Sequence, residues 1–179
     1  MRLSLRFIIL LLVSFLANKA TVLATGNFPR AALSGSVSPI EQLPKGQITE
    51  KVVCGAVATQ SYAVYLPSNY TPTRKWPILY AFDPGARGKF PVERFKDAAE
   101  TYGWIVAGSN NSRNGPMQAS VDAWKAVWAD THERLAIDEG RVYTTGFSGG
   151  ARVAVMLAHL CGDCIAGVIG SGAGDTIPA

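Results

Sequence analysis

The order of apolar and polar positions divides the chain into short, readable segments. Phe7 to Ala17 is almost wholly apolar behind Arg2 and Arg6, and Val22-Leu23-Ala24 follows it. From Thr25 to Lys45 no apolar period is sustained, and Pro29, Pro39 and Pro44 stand among Gly and Ser, so residues 25–45 read as a linker. Two extended runs come next, Gln47 to Val57 and Ser61 to Leu66, the second alternating Tyr62, Val64 and Leu66 with Ser61, Ala63 and Tyr65. Trp76 to Phe82 is a nearly continuous apolar run, the pattern of a strand covered on both faces, and Asp83-Pro84-Gly85-Ala86-Arg87-Gly88 ends it.

A helix is expected after that loop. Pro91 suits its first turn, Glu93 suits the positive end of its dipole, Val92, Phe95, Ala98, Ala99 and Tyr102 mark one face, and Gly103 stops it. Trp104 to Ala107 reads as another buried strand. A longer helix fits Met117 to Leu135, with Val121, Trp124, Val127, Trp128 and Leu135 on its apolar side and Asp122, Lys125, Asp130 and Glu133 elsewhere. Arg141 to Thr145 is expected as a strand, Gly149 to Leu160 as a helix, and Ile165 to Ile169 as a strand before a Gly-rich stretch. Strands alternating with helices imply an α/β fold, a doubly wound and mostly parallel sheet with helices on both faces. A chain of 179 residues suits one such domain.

The basic start, the short apolar run and the small residues of Val22-Leu23-Ala24 make residues 1–24 a signal peptide. The run is about eleven residues, short of the roughly 20 that a membrane-spanning helix needs. A secreted or periplasmic protein is therefore expected, with no stable membrane insertion after signal cleavage. Lys and Arg number 17 against 13 Asp and Glu, but Arg2, Arg6 and Lys19 belong to the leader, so the rest is nearly balanced. With no basic run, a nucleic-acid partner is excluded.

Export exposes Cys54, Cys161 and Cys164 to an oxidising compartment where a pair can persist and one is left over. Cys161-Gly162-Asp163-Cys164 has redox-motif spacing but follows a helix, where the dipole opposes a thiolate, so it reads as a structural disulfide or inert thiols. Zinc through His159 would find only three ligands. In Gly170-Ser171-Gly172-Ala173-Gly174 the third glycine comes one residue early for a dinucleotide loop. No cofactor and no metal are expected.

The chemistry lies in Gly146-Phe147-Ser148-Gly149-Gly150, where a strand is expected to turn sharply into a helix. A serine in a strained strand-to-helix turn needs small neighbours two before and two after it, so that strand and helix can pass closely. Ser148 is then the nucleophile and Gly146 and Gly150 form the elbow. Gly149, at the helix N-terminus, can donate its amide to a developing oxyanion. A Gly-rich helix cap would not require glycine on both sides.

Together with Tyr62-Ala63-Val64-Tyr65-Leu66-Pro67, Pro77-Ile78-Leu79-Tyr80-Ala81-Phe82 and Arg141-Val142-Tyr143, this elbow resembles the α/β-hydrolase family. Within it, the chain is similar to secreted esterases related to polyhydroxybutyrate depolymerases and feruloyl esterases, over roughly Val52 to Gly174. The resemblance implies a second oxyanion donor in the loop after the third strand, here Asp83-Pro84-Gly85-Ala86. Pro84 has no amide hydrogen, which leaves Gly85 or Ala86, and Gly85 is taken. It also implies a triad running Ser, then Asp or Glu, then His. His159 would lie about 16 Å along the helix from Ser148 at about 1.5 Å per residue, too far to be the base. His132 is expected on a helix against a sheet face. Residues 46–179 are accordingly expected to be a partial α/β-hydrolase domain, truncated after the sixth strand, with the acid and histidine beyond Ala179.

The function these readings imply is a serine-dependent carboxylic ester hydrolase, acting on a small-molecule or polymeric ester and incomplete in this chain. Without a base, Ser148 stays protonated, so the chain alone is expected to hydrolyse activated esters poorly or not at all. The alternative is a non-catalytic, hydrolase-like binding module.

Overall fold

A computed structural model describes residues 43–173. The expected signal peptide, 1–24, and most of the expected linker, 25–45, lie outside the described residues. In chain order the elements are β1 (Ile48–Val53), β2 (Ser61–Tyr65), β3 (Trp76–Phe82), α1 (Lys89–Tyr102), β4 (Ile105–Ser109), α2 (Met117–Arg134), β5 (Ile137–Phe147), α3 (Gly149–Leu160) and β6 (Gly167–Ser171). The six strands form one sheet in the order β1-β2-β4-β3-β5-β6. β1 and β2 run antiparallel to their neighbours, and β4, β3, β5 and β6 run parallel. This is the mostly parallel α/β architecture that the alternating elements imply.

Alternation along the strands sends side chains to two faces. Tyr62, Val64, Ile78, Tyr80, Phe82, Ile105 and Val142 pack with Val121, Trp124 and Val127 of α2 and Val153, Ala154 and Leu157 of α3. Ala63, Tyr65, Leu79 and Val106 point the other way, onto Val92 and Ala99 of α1. All of β3 is buried, as an apolar run covered on both sides should be.

Where boundaries differ from the sequence reading, neighbouring bonds explain the difference. α1 begins at Lys89, so Glu93 lies past its first turn and pairs with Lys89 at 3.4 Å. Its stop is as expected: Gly103 takes φ 71°, where a side chain is strained, and its amide returns to Ala99 O. Strand β5 starts four residues earlier than Arg141, pairing Ile137 with Trp76, and runs through to Phe147. Strand β6 starts two residues later than Ile165, because Ile165 N still donates to Cys161 O in the turn after α3. That turn carries a Cys161–Cys164 disulfide, while Cys54 is free and buried.

Asp130 is the main correction. Expected away from the apolar side of α2, it is only 4 % exposed. Its carboxylate accepts from Gly55 N at 2.8 Å, Tyr62 Oη at 2.7 Å and Arg134 Nε at 2.8 Å. The charge is buried because every donor it needs is supplied. Burial, with the Asp130 charge adding, pushes the neighbouring Cys54 thiol up to about 11, despite the opposing pull of Arg134. Cys54 is thus an inert thiol.

Candidate active site

The site is built where β5 turns into α3. Phe147 ends the strand and Gly149 opens the helix, so the whole reversal falls on Ser148, at φ 53° and ψ −118°. That is a strained position for a residue with a side chain. Its neighbours show what permits it. A Cβ at Gly146 would overlap the backbone of Gly150, and a Cβ at Gly150 would overlap the carbonyl of Phe82 at the end of β3. Strand, turn and helix touch backbone to backbone here, which only glycine allows. Ser148 N donates to Ser171 O at 2.8 Å, tying the turn to the end of β6.

Gly149 is the first residue of α3, with its amide among the unpaired donors at the positive end of the helix dipole. The carboxamide of Asn114 occupies the space a Cβ at Gly149 would need, and Pro84 lies 3.4 Å from the same point. Gly149 therefore sits under a roof formed by two loops from the carboxyl edge of the sheet.

At Gly85 the structure departs from the sequence expectation. Its amide donates to Asp83 Oδ1 at 2.8 Å, closing a local turn, and Ala86 N donates to Asp83 O at 3.3 Å. Both candidate donors of this loop are engaged within it. Asp83 is anchored in turn by Arg87, with Nε and Nη2 each 2.9 Å from its two oxygens. Burial pushes the Asp83 carboxyl up, but the hydrogen bonds from Arg87 and Gly85 and the Arg87 charge outweigh it, leaving the carboxyl below its ordinary value. Asp83 is a fixed anion, unsuited to proton transfer at neutral pH.

Both histidines lie away from the serine. His132 stacks on Trp128, with Nδ1 2.7 Å from Trp128 O and Nε2 3.2 Å from Glu139, near the start of β5 and so at the opposite end of that strand from Ser148. His159 is exposed in the last turn of α3. No described side chain is hydrogen-bonded to Ser148 Oγ.

Two cavities flank the elbow. On the α1 side, Phe82, Phe90, Phe95 and Phe147 line one of about 340 Å³ together with Asp83, Thr145 and Ser171, with Arg87 and Arg94 at Phe90. On the α2 and α3 side, a polar one of about 240 Å³ contains Ser148 and Gly149 together with Arg113, Asn114, Gly115, Met117, Ser120 and Arg152. The sequence reading gave no role to Arg113, Asn114 or Arg152. Two signals pointed to them: Arg152 is four residues after Ser148, on the same side of the helix, and the 110–116 loop follows β4 at the carboxyl edge of a parallel sheet, where ligands bind.

With this geometry in hand, comparison with known proteins is informative about the fold. No protein-family model and no curated protein matches the chain. Solved structures do. An acetyl xylan esterase from Aspergillus awamori is similar at 17% identity and TM-score 0.55, over 72% of this chain and 53% of that one. A ferulic acid esterase from the anaerobic fungus Anaeromyces mucronatus gives 14% and 0.55, over 72% and 59%. A fluorophosphonate-binding serine hydrolase of Staphylococcus aureus gives 15% and 0.54, over 70% and 56%. The chain thus spans between a half and three-fifths of the length of these structures. Its fold is that of the α/β-hydrolase esterases they represent. At these identities the likeness is one of fold, and no family model supports either the feruloyl esterase or the polyhydroxybutyrate depolymerase side of the sequence resemblance.

Proposed function

We propose that this protein is a serine hydrolase of carboxylic esters, with Ser148 as nucleophile and the Gly149 amide as an oxyanion donor. One observation carries the reading: a serine at φ 53° held between glycines that backbone contacts require, at the junction of a parallel strand and a helix. Strain of this kind is maintained where it exposes a hydroxyl for attack. Ser148 Oγ attacks the acyl carbon, a base takes its proton, and the helix N-terminus receives the charge that develops on the carbonyl oxygen. Neither described histidine stands at Ser148 to serve as that base: His132 bonds near the start of β5 and His159 lies in the last turn of α3.

Supporting the substrate class, solved structures of the same fold include an acetyl xylan esterase and a ferulic acid esterase. Residues 46–179 are read as hydrolase domain behind a cleaved leader, which makes the protein secreted or periplasmic. Among the described residues no helix is long and apolar enough to cross a membrane.

The test is release of p-nitrophenol from a short acyl ester by the protein as its source organism produces it, compared with a Ser148→Ala variant. Complete loss in the variant is expected. Hydrolysis that survives the substitution refutes the assignment.

A further inference from the structure

We infer that the ester this site takes carries an anionic group, a carboxylate above all, held by Arg113 and Arg152 beside Ser148. The inference rests on the hydrolase reading and adds a substrate class to it. Both arginines line the cavity of about 240 Å³ that contains Ser148, and that cavity has no carboxylate in its wall. Neither arginine belongs to an ion pair among the described residues, whereas Arg87, Arg134 and Arg141 each have an aspartate partner, and Arg74 and Arg94, also outside any ion pair, lie over the rings of Trp76 and Phe90. The rest of the protein is close to charge balance once the three basic residues of the leader are set aside, so two unpaired guanidinium groups here make a local field of one sign.

Their backbones are fixed. Arg113 bridges Gly85, its carbonyl accepts from Ser120 Oγ at 3.3 Å, and the next amide, Asn114 N, donates to Pro84 O at 2.9 Å. Arg152 stands in the first turns of α3, its amide directed at Ser148 O. The helix dipole adds positive potential on the same side. Arginine suits the task because its planar fork can hold a carboxylate through two hydrogen bonds while remaining charged at any working pH. A substrate whose anionic end meets these groups has its scissile carbonyl oriented toward Ser148.

Binding is measured by calorimetry on the protein as its source organism produces it with two non-hydrolysable amides of matched length, succinanilate, which ends in a carboxylate, and butyranilide, which ends in a methyl. Succinanilate is expected to bind about tenfold more tightly at low salt and to lose that preference in about 0.5 M salt. The preference should fall to parity in R113Q/R152Q and survive in part in R113K/R152K. Equal binding of the two amides by the unsubstituted chain, no binding of either, or a preference that persists in R113Q/R152Q overturns the inference. Hydrolysis of p-nitrophenyl hemisuccinate and p-nitrophenyl butyrate by the protein from its source organism separates the two levels. Carboxylate preference in binding with neither ester cleaved removes the hydrolase reading and leaves the anion site standing. Cleavage of the butyrate with no carboxylate preference does the reverse.

Discussion

The two faces of the sheet are made from the same kind of strand and end in different states. On one face, α2 and α3 lie side by side over β2, β4, β3 and β5, and the tyrosines that enter that core find partners. Tyr62 Oη bonds to Asp130, and Tyr80 Oη meets Thr131 Oγ1 at 2.6 Å. On the other face α1 is the one helix among the described residues. Beside it Leu79, Phe95, Tyr102, Trp104, Tyr143, Val168 and Ile169 line an apolar groove of about 530 Å³. Tyr102, on the expected apolar stripe of α1, is 75 % exposed there, and Ile169 is 54 % exposed. An apolar stripe thus marks where a covering element fits, and whether one is present is a separate fact. On the first face the Tyr62 and Tyr80 hydroxyls and the Asp130 carboxylate are buried because each finds a partner, whereas Trp124 Nε1 is buried there without one.

The largest expected effect tests the closed face through its buried charge. Asp130→Ala leaves Tyr62 Oη and Gly55 N without their acceptor and strands Arg134, whose side chain is 21 % exposed. A loss of about 3–5 kcal/mol in chemical denaturation is expected. A smaller loss than that from Leu157→Ala would mean that apolar packing, and not the buried anion, holds this face.

Leu157→Ala, at a fully buried position of α3, is expected to cost about 2–4 kcal/mol. The matching change on the open face, Ile169→Ala, is expected to stay within about 0.5 kcal/mol. Equal losses at the two positions would show that the groove is covered in solution. Exposed apolar surface beside an edge strand also promotes association, so the 179-residue chain is expected to self-associate in light scattering and V168K/I169K to reduce it.

The smallest expected effect is on acid stability. The Asp83 carboxyl titrates below its ordinary value when folded, so its contribution is complete above about pH 4 and is lost as pH falls through the folded value. Asp83→Asn should remove that contribution at neutral pH and make the acid limb of the stability curve shallower. It also weakens the acceptor of the Gly85 amide. An unchanged acid limb in this variant would show that Arg87 does not stabilise the loop through Asp83.

Much of the framework was legible in the residues. The continuous apolar run at Trp76 to Phe82 is β3 to the residue, Gly149 to Leu160 is α3, and α2 ends one residue short of the expected Leu135. The glycines at 146 and 150 could be read because their reason is steric and local: backbone passes backbone within a few residues of Ser148. Periodicity and close approach are properties of short stretches, and a sequence states them directly.

What only the tertiary structure decided lies in groups distant along the chain. Asp130 is a buried anion because Gly55, 75 residues away, and Tyr62, 68 residues away, donate to it, and no helical period records that. Gly85 looked free to face an oxyanion until the fold showed its amide turned onto Asp83. Arg113 and Arg152 are unremarkable in their own segments and meet at Ser148 only because parallel strands deliver the 110–116 loop and the start of α3 to the same edge. Hydrogen bonds and fields depend on distances of a few ångströms, and those are set by which strands lie beside each other.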